Sequence, residues 1–198
     1  FDGLGIGSPP YDRVSIERPF KFDEEMTVSV WHRLNLDSRG WDNPLTYSSW
    51  NIFMLAVNQI GPSSYRTVLS VMNESNSYNQ IVVSNPKSIE GEWHSTTYTV
   101  NSTTVSLYSD GVLFHTRSWA GGNIKDISRM DISNNAGNQA FNGSIDNVMI
   151  FNRSLSAEEI QALYANQSTK YLENFYSNLE EGKNHNYKIY AQDYAGNV

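Results

Sequence analysis

The residues of this chain with the greatest chemical reach are its adjacent carboxylates, Glu24-Glu25, Glu158-Glu159 and Glu180-Glu181. Glycoside hydrolysis needs two carboxylates, one as acid and one as base or nucleophile. These pairs sit at turn signals or at a helix start, where adjacent carboxylates are ordinarily solvated or cap a backbone. No G-x-S-x-G, H-E-x-x-H or P-loop pattern is present. The histidines are scattered. His94 and His115 fall inside strand-like segments, where a packed or half-exposed ring is the default. Cysteine is absent, so no thiolate nucleophile or His/Cys zinc cluster is available. The expectation is that the chain has no catalytic residues.

Recognition chemistry is better represented. Sugars stack their apolar faces on Trp or Tyr beside amide and carboxylate hydrogen bonds. Two loop-like segments carry that combination: Trp41 with Asp42 and Asn43, and Trp119 with Arg117 and Asn123. The alternative for any tryptophan in a large β-fold is the core. Trp31, Trp50 and Trp93 lie on strand-like segments and are assigned to packing. Asn-x-Ser/Thr sequons occur at Asn73, Asn101, Asn142, Asn152 and Asn166. As a set they favour a secreted, glycosylated protein, although a chain rich in Asn, Ser and Thr produces some by chance.

These residues must be positioned by a fold that the sequence outlines. The chain has 198 residues and a net charge of −7 without a Lys/Arg cluster. That argues against a nucleic-acid partner, which needs a basic face. No apolar run reaches the roughly 18 residues of a membrane span. No signal-peptide pattern is recognised in the residues given, and the chain is expected to be a piece of a longer precursor. Many short apolar alternations separated by turn signals at about 8–12-residue spacing point to an all-β sandwich or barrel.

Met26, Val28 and Val30 alternate with Thr27, Ser29 and Trp31, a strand pattern. Residues 37–46, with Gly40 and Asn43-Pro44, read as a loop. Residues 50–57 are apolar on both parities and read as a strand buried on both faces or a central one. Further strands are expected over 65–72, 80–83, 93–100, 104–108, 112–116 and 127–132. Asp110-Gly111 supplies the positive φ angles of a tight hairpin. Residues 145–151 form a last strand, followed by a helix start: Ser156 as N-cap, Glu159 three residues on, and Leu155 with Ile160 placed as a hydrophobic staple.

The run from Gly143 to Tyr164, G-S-I-D-N-V-M-I-F-N-R-S-L-S-A-E-E-I-Q-A-L-Y, resembles the closing segment of laminin-G-like, concanavalin-A-like jelly-roll modules. Phe1-Asp2-Gly3 resembles their opening F-D-G, and M-T-V-S-V-W-H-R-L from Met26 resembles their F-T-[IV]-S-x-W strand. Trp93-His94 with L-Y-S-D-G from Leu107 resembles their W-x-H and L-Y-x-D-G hairpin. The resemblance implies an antiparallel β-sandwich with one short helix near 156–164, in a domain spanning 1–165.

It also implies one structural Ca²⁺ where the opening and closing strands meet. The matching positions are Asp2, Asp146 and Asn147, where Asn147 replaces a family Asp and removes one charge. The E-x-D-x-x-E motif of related glycosidases is absent. Residues 166–198 form a separate expectation, an extra β-hairpin. Its ending D-Y-A-G-N resembles the last strands of bacterial and archaeal immunoglobulin-like repeats. It either joins the sandwich or is a truncated neighbour.

The expected function is a non-catalytic recognition or adhesion module, carbohydrate-binding, of a larger secreted or cell-surface protein, with a glycan or surface protein as partner. The alternatives are a carbohydrate-active enzyme and a structural stalk.

Overall fold

The computed structural model describes residues 14–17, 20–35, 41–46, 53–61, 64–85, 91–133 and 141–168. Eleven strands and one helix follow in order: β1 (Val14–Ile16), β2 (Met26–Leu34), β3 (Trp41–Thr46), β4 (Phe53–Gly61), β5 (Ser64–Met72), β6 (Tyr78–Asn85), β7 (His94–Val100), β8 (Thr104–Ser109), β9 (Val112–Ser118), β10 (Met130–Ile132), β11 (Gly143–Phe151) and α1 (Ala157–Ser168). They form two antiparallel sheets. One has six strands in the order β1-β10-β3-β4-β5-β6, the other five in the order β11-β2-β7-β8-β9. The expected all-β sandwich with one short helix is present. The expected hairpin beyond α1 lies outside the described residues.

Strand β2 shows how the alternation builds two layers. Met26, Val28 and Val30 enter the core between the sheets, with Tyr98, Val100, Val105 and Leu107 beside them and Leu55, Leu69, Val71 and Ile81 opposite. Thr27 and Trp31, of the other parity, face the helix side. Thr27 Oγ1 donates to Arg153 O and accepts from Leu155 N–H, at 2.8 and 2.9 Å. The Trp31 indole stacks on Tyr164, centroids 5.5 Å apart, and its Nε1–H donates to Gln167 Oε1. Both faces of β2 are therefore buried, by the second sheet on one side and by α1 on the other.

The helix starts as its residues require. Ser156 Oγ accepts from Glu159 N–H, and Ser156 N–H donates to Glu159 Oε2, a complete capping box. Arg153 grips the same carboxylate with two bonds of 2.9 and 2.8 Å. Leu155 and Ile160 meet Tyr108 in a small apolar cluster, so the staple forms as its spacing predicts.

Two expectations are corrected. Residues 41–46, expected within a loop, form β3, which pairs with both β4 and β10. A proline inside a sheet needs a position that requires no donor. Pro44 has one, because the β3–β4 register shifts between Asp42 and Leu45. Arg117, also expected in a loop, belongs to β9, whose pairing with β8 runs on to Thr104 opposite Ser118.

Candidate functional site

A polar pocket opens at one end of the sandwich, where the five-stranded sheet presents histidine on its inward parity. His32 stands two residues beyond Val30, and the register sets it directly opposite His94 of β7. Thr96 follows His94 on the same face. The Asp110-Gly111 turn joins β8 to β9 with φ of 49° and 76°, the two left-handed positions of a two-residue hairpin loop. That turn folds Asp110 back on β7. Its Oδ1 accepts from Ser95 N–H at 2.8 Å, its own N–H donates to Ser95 O, and its Oδ2 lies 2.8 Å from His94 Nδ1.

Each imidazole is held by one nitrogen and leaves the other without a partner among the described residues. A carboxylate only accepts, so His94 Nδ1 carries the proton it gives to Asp110. His94 Nε2 is buried with no hydrogen-bond partner and lies 4.0 Å from the Glu92 carboxylate. His32 Nε2 sits 2.9 Å from Thr96 Oγ1, while His32 Nδ1 is buried and unpartnered. The His32 ring is 2% exposed and meets Phe141 edge-on.

Burial, reinforced by electrostatic coupling to His94 and partly opposed by Asp110, lowers the His32 pKa to about 4. His32 is therefore neutral near pH 7. Burial alone would raise Asp110, but the bonds from His94 and Ser95 outweigh it and hold the carboxyl below its usual range. His32, His94, Thr96 and Ser109 line the pocket with Leu107 and Phe114, and Thr67 of β5 closes it from the opposite sheet. The space is about that of one water molecule.

The sequence-derived candidates are dispersed. Trp41, Asp42 and Asn43 lie on β3, with Trp41 and Asp42 opposite Asn58 and Val57 of β4. Arg117 is exposed and its Nη1 donates to Gln80 O at 2.6 Å, linking β9 to β6. Asn123 is exposed near Glu74, Nδ2 to Oε2 at 3.4 Å. Trp119, expected as a loop aromatic, is a core residue at 6% exposure, packed with Phe22, Ile124 and Ile127. Its backbone N–H donates to Thr103 O at 2.7 Å and draws the chain inward, so no sugar can stack on it without opening the core.

Asp146 and Asn147 occupy a bulge in the β11–β2 pairing. Asn147 has φ 47° and its N–H donates to Asp146 Oδ1 at 2.7 Å. Asp2 lies outside the described residues. The pair offers a carboxylate and an amide oxygen, the hard donors Ca²⁺ prefers. Among the described residues no three or more His, Cys, Asp or Glu side chains gather as a metal site.

Among the sequons, Asn73 is a correction. It is 5% exposed, and Nδ2, the atom a glycan would occupy, donates to Gly121 O at 2.7 Å while Oδ1 accepts from Ser77 N–H. Asn101 Oδ1 binds the backbone N–H groups of Thr103 and Thr104. Asn142 Oδ1 accepts from Asn35 Nδ2. Asn152 and Asn166 are exposed.

Residues 9–161 match the family model described as the concanavalin A-like lectin/glucanases superfamily, a laminin G model. No curated protein matches the chain in sequence. Solved structures share its fold at low identity. A native heptameric SAP-like pentraxin from Limulus polyphemus is 13% identical, with a TM-score of 0.62 over 81% of this chain and 78% of that one. The binding domain of botulinum neurotoxin serotype G is 14% identical, with a TM-score of 0.59 over 78% and 39%. The binding domain of botulinum neurotoxin DC in complex with SialylT is 17% identical, with a TM-score of 0.52 over 72% and 36%. The chain thus spans about two fifths of the length of these toxin domains, and the likeness is one of fold.

Proposed function

The chain belongs to the concanavalin A-like lectin/glucanases superfamily, and on that premise we propose that it is a non-catalytic recognition module that binds carbohydrate. The observation that carries this reading is the His32–His94 pocket. The pocket between the sheets holds two buried ring nitrogens without protein partners among the described residues. Buried polar atoms are ordinarily satisfied, and exceptions point to a function or a bound group. The His94–Asp110 pair has the form of a base and its orienting carboxylate. No hydroxyl bonds His94 Nε2 among the described residues, which favours binding over nucleophilic catalysis. Glu158 and Glu159 are engaged at the helix cap, away from any paired-acid geometry.

The neurotoxin fragments are named as binding domains, one of them in complex with SialylT, and such ligands suit the reading. An extracellular or surface setting within a larger protein goes with it. No helix among the described residues is long and apolar enough to cross a membrane. Exposed Asn152 and Asn166 are the sequons best placed for glycans. A structural Ca²⁺ held by Asp146, Asn147 and Asp2 belongs to the same proposal.

A glycan array probed with the purified chain tests the reading. Saturable binding to a defined set of glycans is the expected result. No binding to any glycan would leave a structural spacer, and turnover of an oligosaccharide would restore the enzyme.

A further inference from the structure

The two histidines differ in what their unpartnered nitrogens offer, and the difference defines a ligand group. His94 donates its Nδ1–H to Asp110 Oδ2 in a hydrogen bond. In the neutral ring, Nε2 is then an acceptor. His32 is neutral near pH 7. When Thr96 Oγ1–H donates to His32 Nε2, the ring proton resides on Nδ1, which becomes a donor. In that arrangement the two histidines that line a pocket of about one oxygen's size carry one buried acceptor and one buried donor. A hydroxyl group is complementary, because it donates once and accepts as well.

Phe114 supplies the second half of such a site. It forms one wall of the pocket and remains 37% exposed, so its ring reaches from the polar well to solvent. Its neighbours Val112 and Leu113 are more exposed still. A polar well beside an aromatic wall matches the two-sided character of a sugar, whose hydroxyls ring an apolar face.

We infer that this pocket is the hydroxyl-reading subsite of the module: one sugar hydroxyl donates to His94 Nε2 and accepts from His32 Nδ1–H, while Phe114 packs against the carbon face of the same sugar. The inference rests on the carbohydrate reading above and assigns it a place that the loop tryptophans do not provide. Asp110 and Thr96 act as positioning residues, each fixing the proton on one imidazole. The hydroxyl is read inside the sandwich at the foot of the β8–β9 hairpin. A sugar lacking that hydroxyl leaves two buried nitrogens unpaired, a loss that gives strong discrimination.

Imidazole ¹H–¹⁵N spectra of the labelled wild-type chain near pH 7 test this without any mutation. Both rings are expected as Nδ1–H tautomers. Titration with glucose, galactose, mannose, N-acetylglucosamine and N-acetylneuraminic acid is expected to give, for at least one sugar, a saturable shift of His94 Nε2 and His32 Nδ1. The matching deoxy sugar and His94→Gln should each weaken that sugar tenfold or more, with exposed His115→Gln as the unaffected control. Glycan binding on the array with unmoved ring signals and unchanged affinity in His94→Gln would overturn the inference and leave the carbohydrate reading standing. An Nε2–H tautomer at His32 would also overturn the inference alone. Silence from every sugar, in solution and on the array, would remove both and leave the well to solvent.

Discussion

His32 sits in the row Met26, Val28, Val30, His32, Leu34, a single polar residue on an apolar parity. That break in the alternation is visible in the sequence. What it faces is not, because β7 lies about sixty residues away and only the folded register brings His94 opposite. Burial of His32 has a consequence for stability. The unfolded ring titrates near 6.5 and the folded one near 4, so between those values the unfolded chain binds the extra proton and stability falls as pH falls. The difference is about 3 kcal/mol over that window. Urea unfolding near pH 7 and near pH 4.5 should show this loss in the wild type and a smaller slope in His32→Asn; equal slopes would refute the assignment. Trp119 shows the opposite limit of sequence reading. Its turn-rich flanks suggest an exposed aromatic, whereas the backbone bond to Thr103 O carries the residue into the core. Trp119→Ala should therefore cost about 3–5 kcal/mol of stability, as for other buried aromatics, as measured by denaturant unfolding. A Trp119→Ala variant of native stability with weakened glycan binding would return this residue to the surface site.

At the scale of elements, local signals were the most legible. The N-cap, its Glu159 partner and the staple are all within a few residues of one another, so spacing alone identifies them. Ser156→Ala should cost about 1 kcal/mol in urea unfolding, and an undiminished stability would show that Arg153 and Glu159 hold the helix start unaided. The Asp-Gly turn was equally plain, but its second duty was not. A Cβ added at Gly111 would lie 2.9 Å from Tyr164 Cβ, in addition to the strain of φ 76°. Gly111→Ala should therefore displace Tyr164 from Trp31 and cost more than the roughly 1 kcal/mol of a left-handed residue. Near-ultraviolet circular dichroism of the Trp31–Tyr164 stack, read beside the melting temperature, checks both parts. Strand β3 escaped recognition because Gly40 and Asn43-Pro44 are loop signals. A bulge neutralises the proline inside the pairing, and bulges arise from register, which no single segment encodes.

For the whole molecule, the sandwich follows from alternation and turn spacing summed over many strands, a property that tolerates errors in any one of them. A binding site depends on a few side chains from distant strands, so it was mostly illegible. The Ca²⁺ proposal spans the two cases, because it joins the start of the chain to its closing strand. Asp146 stands at the β11 bulge with its carboxylate bonded to Asn147 N–H, and a bulge re-aims a side chain out of the regular pleat. A second carboxylate brought to it by Asp2 would repel unless a cation compensates. A hard divalent ion does so and also adds loop carbonyls. It would tie the segment around Asp2 to the closing strand in a cysteine-free sequence, a constraint otherwise supplied by disulfides in small secreted domains. Ca²⁺ at about 100 times its dissociation constant would add about 2.7 kcal/mol to stability. The melting temperature should fall in excess chelator and recover with Ca²⁺ but not Mg²⁺, whose smaller octahedral shell demands different ligands. Asp146→Ala should abolish the response, while Asp126→Ala, at an exposed ion pair with Lys21, should keep it. An unchanged melting temperature in chelator, with no metal by elemental analysis, would reduce Asp146 and Asn147 to the residues that shape the bulge.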